Sequence, residues 1–324
     1  MRPKKHFVLT AAALVAGFAH AAPAFDGQIR NNTLAVDPAE TLALVAKSDS
    51  EKVHVYDLRH GKLLRTLEGF ISPRNILFSP DGKHFYVSDS TKGVVEKWDS
   101  QALTRSASLA VGPGAFGTAL SRDGSRLFVN NQANSTVTAF DLNTLQPLSV
   151  MTGFAQPRQG IKLSPDDKTL FVTNFLGDKI TVIDPASFKT LAEVGGFNKI
   201  RAISISRDGK TLYAANSGTD TLSEVDVETR KVQRSVKVGS DPYGAALRPD
   251  GRFLYSGNLK GNSMTVISLP DFKATGEITG LKGPRQAITF SKDSRKAWVL
   301  NEDLSVAEVN LDARQVTRTL SAGT

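Results

Sequence analysis

Four arginines stand at nearly matched places in this 324-residue chain, Arg74, Arg158, Arg201 and Arg285, and Phe116 and Tyr243 occupy places equivalent to two of them. A guanidinium is planar, forked and permanently charged, so it suits bidentate contact with carboxylate or phosphate, while an aromatic ring can stack on or cover an apolar part. Brought together, these six side chains form a ligand-binding group for an anionic, partly planar molecule or an acidic peptide segment. Like charges gathered there need acidic side chains or a bound anion to neutralise them. The competing reading is that loop carboxylates such as Asp89 or Asp241 pair with the arginines and lock neighbouring units of the fold.

Residues for covalent or acid–base chemistry do not gather in this way. No G-x-S-x-G is present, and outside the N-terminal leader the histidines are His54, His60 and His84, all early in the chain, so a Ser-His-Asp arrangement has little to build on. The absence of cysteine excludes c-type haem attachment, iron–sulfur clusters and thiolate zinc sites. Asp49-Ser50-Glu51 and Glu302-Asp303 lack the alternating oxygen spacing of a calcium loop. Gly112 to Gly117 matches G-x-G-x-x-G, but Thr118-Ala119-Leu120 continues it as a strand, whereas a phosphate cradle requires a helix start. The expectation is no catalytic residue, no cofactor and no metal.

The elements that must position the arginines repeat along the chain. A turn aspartate recurs as Asp81, Asp123, Asp166, Asp208, Asp250 and Asp293, 42 or 43 residues apart, and Ala39 holds the place one period earlier, giving seven copies. A period in the low forties, divided by turn signals into four short apolar runs, predicts an all-β, seven-bladed β-propeller with four antiparallel strands per blade. Three residues before each turn the side chain is large, as in Phe78 and Leu163, and six before it is small, as in Gly117 and Gly160. This is the innermost strand, where room runs out toward one end. After the turn come unbroken apolar runs such as Leu170-Phe171-Val172, which predict strands buried on both faces. Short polar residues close them, Asp89, Asn131, Asn174, Asn216, Asn258 and Asn301. The polar fourth run, Lys231 to Val238 for example, reads as the outer edge, where charges discourage pairing with other chains. Seven residues before each turn stand Asn32, Arg74, Phe116, Gln159, Arg201, Tyr243 and Gln286, so the arginine group lies roughly 23 Å from the turns, at the opposite mouth of the channel.

Residues 1–24 read as a secretory signal peptide: basic Arg2, Lys4 and Lys5, a 13-residue apolar run from Phe7 to Ala19, and small residues suited to cleavage after Ala21 or Ala24. That run is shorter than the roughly 18 residues a bilayer span needs, so no membrane insertion is expected. Export places the product in a bacterial periplasm or outside the cell. Residues 25–324 then form a single domain, with Phe25 to Arg30 available as a strand to close the ring. Removing the leader lowers the formal charge from +8 to +5, spread without runs of like charge, which argues against nucleic acid as the partner.

Phe171-Val172-Thr173-Asn174 followed by Lys179-Ile180-Thr181-Val182-Ile183-Asp184 resembles the motif of the YVTN-repeat β-propellers, a family that includes periplasmic YncE-like proteins. Leu212-Tyr213-Ala214-Ala215-Asn216 is a variant, and the resemblance runs from about residue 30 to residue 324. It implies the propeller fold. For function it leaves three classes open: a non-enzymatic scaffold for a periplasmic protein or a small anionic ligand, a lactonase-like hydrolase or accessory of a periplasmic oxidoreductase, and a binder of single-stranded nucleic acid. The first is the expectation here, as a monomer.

Overall fold

Five of the seven repeats turn on the same pair of side chains. The hydroxyls of Ser79, Ser121, Ser164, Ser206 and Ser291 donate to the carboxylates of Asp81, Asp123, Asp166, Asp208 and Asp293, each at 2.6 Å. The same carboxylates accept backbone N–H groups two residues on, from Lys83, Ser125, Lys168, Lys210 and Arg295. In the sixth repeat Arg248 replaces the serine and grips Asp250 with Nε and Nη2 at 2.8 and 2.5 Å. These bonds hold the carboxylates below the usual aspartate range, Asp123 to about 2, because the ionised form accepts them.

The computed structural model describes residues 29–322, and among these the chain forms seven four-stranded antiparallel sheets and no helix. The blades span 32–67, 73–110, 115–151, 157–194, 200–237, 246–278 and 288–320. In every blade the strands neighbour one another in chain order, so each sheet is complete within its own repeat. The hairpin between third and fourth strands ends on a left-handed residue with φ between 49 and 67°, supplied by Gly61 once and otherwise by Leu103, Leu145, Phe188, Arg230, Phe272 and Arg314.

The core is divided rather than continuous. Seven apolar clusters are present, one between each pair of adjacent blades. The second strand of blade four shows why its sequence does not alternate: Leu170 and Val172 pack toward blade three, and Phe171 packs toward blade five. The outer strands are exposed apart from their last residues, as in Lys189–Val194.

Blades seven and one meet without a shared strand among the described residues, and residues 25–28 of the expected closing strand lie outside them, as does the expected signal peptide. The seam is packed and bonded instead. Leu34, Ala43 and Val45 meet Trp298, Leu300 and Val306. Tyr56 donates to Leu304 O at 3.3 Å, and Arg318 Nη2 donates to Leu58 O while Glu308 holds the same guanidinium.

Toward one end of the channel the inner strands converge until side chains no longer fit. A Cβ on Gly117 would lie 2.5 Å from Gln159 O of the next blade, and one on Gly160 would lie 2.7 Å from Arg201 O. The column of small residues six before each turn therefore marks backbone meeting backbone.

Candidate functional site

At the narrow end two layers of side chains close the channel. The inner layer is made of amides: Gln159 Nε2 donates to Asn75 Oδ1, Asn75 Nδ2 to Thr118 Oγ1, and Gln286 Nε2 to Asn32 O at 2.9 Å. Above it lies a ladder of alternating cations and rings. Arg158 stands 3.7 Å from the Phe175 ring centroid and Arg201 4.5 Å from the same ring; Arg201 is 4.4 Å from Tyr243, and Arg285 is 5.1 Å from Tyr243. The ladder crosses blades four to seven. Such contacts contribute about 0.5–1 kcal/mol each at exposed sites and more where water is excluded. Between the amide layer and the ladder remains a void of about 30 Å³, enough for about one or two water molecules.

The six sequence-derived residues divide within this arrangement. Arg158, Arg201, Tyr243 and Arg285 belong to the ladder. Arg74 and Phe116 form their own pair at 5.1 Å but are 0% and 2% exposed, so they do not stand at an open mouth. Residues 29–31 cover them: Arg74 Nη1 donates to Ile29 O and to Asn31 Oδ1, Arg74 Nε donates to Ser90 Oγ at 2.8 Å, and Asn31 Nδ2 donates back to Arg74 O. Arg285 anchors the same segment through Arg30 O at 3.1 Å and pairs with Glu302 at 3.4 Å. Asp89, considered as a partner for an arginine, instead accepts the backbone N–H groups of Ile71 and Ser72 and ties down the loop between blades. Asp241 lies 3.8 Å from Lys260.

Arg201 occupies the centre of the ladder. Its Nε donates to Ser217 Oγ at 2.9 Å, while its two terminal nitrogens have no acceptor among the described residues. Burial pushes its pKa below the ordinary guanidinium value and Arg285 adds to this, opposed by Tyr243 and Asp241. Arginine stays protonated nevertheless, so the site holds an incompletely matched positive charge. Phe175, which contacts two of the arginines, was missed in the sequence reading. Its signal was available: the matching residues of the other repeats are Ser48, Ser90, Gln132, Ser217, Leu259 and Glu302, with no other ring.

Beneath the amide layer the channel widens into a cavity of about 990 Å³, walled by the inner strands of all seven blades and reaching the turn face at Arg122, Pro165 and Arg207. The channel is thus plugged at the arginine end and spacious at the other.

Comparison with known proteins agrees with this architecture. Residues 168–270 match the family model described as YNCE-like beta-propeller, and residues 33–189 match that of the seven-bladed beta-propeller Lactonase family. The YncE-like resemblance read from the repeats is met over residues 168–270, and the two matches together span residues 33–270. No curated protein matches the sequence. Among solved structures, Kuenenia stuttgartiensis hydrazine synthase is similar with a TM-score of 0.78 and 19% identity, over 91% of this chain and 98% of that one. At that identity the likeness shows the fold alone.

Proposed function

We propose that this YncE-like and lactonase-like propeller is an exported, non-enzymatic binding protein whose arginine–aromatic ladder docks an acidic segment of a periplasmic partner. The observation that carries the reading is Arg201, held between the Phe175 and Tyr243 rings with both terminal nitrogens lacking an acceptor among the described residues. A carboxylate laid against that edge would gain two charge-assisted bonds from a donor already ordered by its neighbours, which lowers the entropy cost of association. The void beside the ladder is too small to enclose a metabolite, so the occupant lies across the face rather than inside it. Guanidiniums hold their protons at neutral pH, so the ladder favours binding over proton transfer. The leader read at residues 1–24 supports export, and a mature chain beginning at residue 22 or 25 is the expected mass-spectrometric result.

The test measures binding of fluorescent glutamate-rich and lysine-rich peptides and of a thymidine oligonucleotide, at low and high salt, to wild type and Arg201→Gln. The acidic peptide should bind, weaken with salt, and lose about tenfold or more on substitution, since a charge-assisted bond contributes about 1.5–3 kcal/mol. Failure of the acidic peptide to bind would refute the proposal. Preference for the oligonucleotide would move the function to nucleic acid, and lactone hydrolysis abolished by Arg201→Gln would move it to catalysis.

A further inference from the structure

The cavity at the spacious end is a second site, separate from the ladder, and its wall is not chemically neutral. Lys162 projects from the inner strand Pro157–Leu163 of blade four and lines the cavity. It is exposed although its strand is walled in by two other blades, so the solvent it meets is the water of the channel. Four residues before the turn, where it stands, the other repeats carry Ala35, Leu77, Ala119, Ser204, Ala246 and Thr289, so it is the sole charge at that level. No hydrogen bond or ion pair engages its amine among the described residues. Surrounding protein lowers its pKa from the ordinary lysine value by desolvation, and no carboxylate opposes the shift.

The rest of the wall points the same way. At the closed end Asn32 is only 2% exposed, lines the cavity and leaves both Nδ2 and Oδ1 without a partner. Gln286 Oε1 and Ser204 Oγ, also on the wall, are unpartnered as well. At the turn face stand Arg122 and Arg207, both exposed, and Asp167, whose carboxylate accepts the Arg122 backbone N–H at 2.8 Å. With Lys162, these are the charged groups on the wall: three positive and one negative. Buried polar atoms left unsatisfied are costly, and an isolated ammonium in such surroundings is costlier, so both are relieved by an occupant that accepts and donates hydrogen bonds and carries negative charge.

We propose that the channel is a binding site for a small hydroxylated organic acid, which enters between Arg122 and Arg207, sets its carboxylate on the Lys162 ammonium, and draws the side chains of Ser204, Asn32 and Gln286, whose unpartnered atoms lie just beneath the wall, toward its hydroxyl groups. The volume of about 990 Å³ is at the upper end of the roughly 300–1,000 Å³ usual for metabolite pockets, leaving space for water beside such a ligand. An anion at Lys162 supplies the counter-charge that the wall lacks, so binding favours the protonated amine. Affinity therefore falls as pH rises through the lysine's pKa.

The experiment titrates acetate, lactate, malate, citrate and inorganic phosphate into the full mature protein by calorimetry, for wild type, Lys162→Met and Arg201→Gln, from pH 6.5 upward. Methionine is a suitable replacement because the equivalent position already holds Leu77 and Ala119 in other blades. The result expected is binding of at least one hydroxy acid to wild type and to Arg201→Gln with equal affinity, at least tenfold weaker in Lys162→Met and weaker at high pH. In parallel, acetylation of Lys162 followed by mass spectrometry should be slowed by the bound acid. The proposal fails if no hydroxy acid binds wild type, if a folded Lys162→Met binds as well as wild type, or if phosphate and acetate bind as tightly as the hydroxy acids. Loss of binding on Arg201→Gln with Lys162→Met unaffected would place the ligand in the ladder and equally overturn it.

Discussion

Replacing Arg74 by alanine should destabilise the whole propeller about twice as much as the same change at Arg201. Arg74 is 0% exposed and donates to Ser90 Oγ at 2.8 Å, to Asn31 Oδ1 at 3.1 Å and to Ile29 O, with Phe116 against its guanidinium. Two buried bonds from a charged donor contribute about 1.5–3 kcal/mol each, and the ring contact about 0.5–1 kcal/mol more; partial collapse of the vacated space offsets some of this. The expected loss is about 4 kcal/mol. With a urea slope of about 2–3 kcal/mol/M for a chain of this size, the midpoint should fall by roughly 1.5 M. Arg201 shares the Nε contact, to Ser217 Oγ, and touches two rings, but it is only partly buried and its removal relieves repulsion with Arg285, so its loss should cost about 2 kcal/mol, or roughly 0.8 M. Urea titration followed by tryptophan fluorescence measures both, with constant slope as the check that only stability changed. Arg74→Met keeps most of the volume and should still lose most of the stability. A midpoint for Arg74→Ala within about 0.3 M of wild type, or equal to that of Arg201→Ala, would refute the assignment of Arg74 to the fold.

Further outcomes follow from the turns and the seams. The serine and backbone donors around Asp123 hold its carboxyl at about 2, so its contribution is complete above the ordinary aspartate value and is lost as pH falls through about 2. Asp123→Asn should therefore flatten the fall in thermal midpoint between about pH 4 and pH 2, and an unchanged profile would count against the turn as an acid-sensitive element. Gly160→Ala would place a methyl 2.4 Å from Thr173 Oγ1 and 2.7 Å from Arg201 O, and should cost about 1–3 kcal/mol in urea. Arg230 is exposed with φ of 58°, so Arg230→Gly should be neutral or stabilising by up to about 0.5 kcal/mol, a result scored by calorimetric Tm. Tyr56→Phe removes the bond to Leu304 O across the seam between blades one and seven and should cost about 1 kcal/mol.

What could be read in the sequence was what the repeat expresses many times. The spacing of Asp81, Asp123 and Asp166 gave the blade count, and the unbroken run Leu170-Phe171-Val172 showed a strand covered on both faces, now resolved as two different interfaces. The convergence of Arg201 with Tyr243 and Arg285 was legible for the same reason, since equal places in successive repeats, or places one residue off as for Arg285, become neighbours round the ring. Departures from the repeat were harder. Phe175 sits one residue beyond the strand-closing Asn174, at a place where other blades carry mainly polar side chains, so the repeat gives it no column of like residues. Arg74 and Arg201 occupy the same column and bond equivalent serines, yet only Arg74 is covered by residues 29–31. Nothing periodic can report that, because the covering segment precedes the first repeat and crosses the mouth only once.

That single crossing accounts for the asymmetry of the channel. Seven equivalent inner strands would by themselves leave both ends alike in polarity, differing only in width, because the small column draws the strands together at one end. The amides of Asn75, Gln159 and Gln286 and the backbone of residues 29–31 fill the narrow end, where orphan carbonyls such as Ile29 O and Arg30 O are matched by buried guanidiniums. The wide end has no such cover, and there the unmatched group is the opposite in kind: the Lys162 ammonium without an anion. A plug at one end made from the chain's own donors and acceptors, and an unsatisfied wall at the other, is the arrangement expected when one mouth is built to present an outer face and the other to admit a guest. Cutting the plug separates the two roles. Asn31→Ala removes the bonds to Arg74 Nη1 and Arg74 O and should loosen the narrow end, lowering the urea midpoint by roughly 0.5–1 M. Hydroxy-acid affinity at Lys162 should stay within about twofold, since only local contacts at the far layer change. A tenfold loss of that affinity would instead show that the two ends act as one site, and the division of labour along the channel would have to be abandoned.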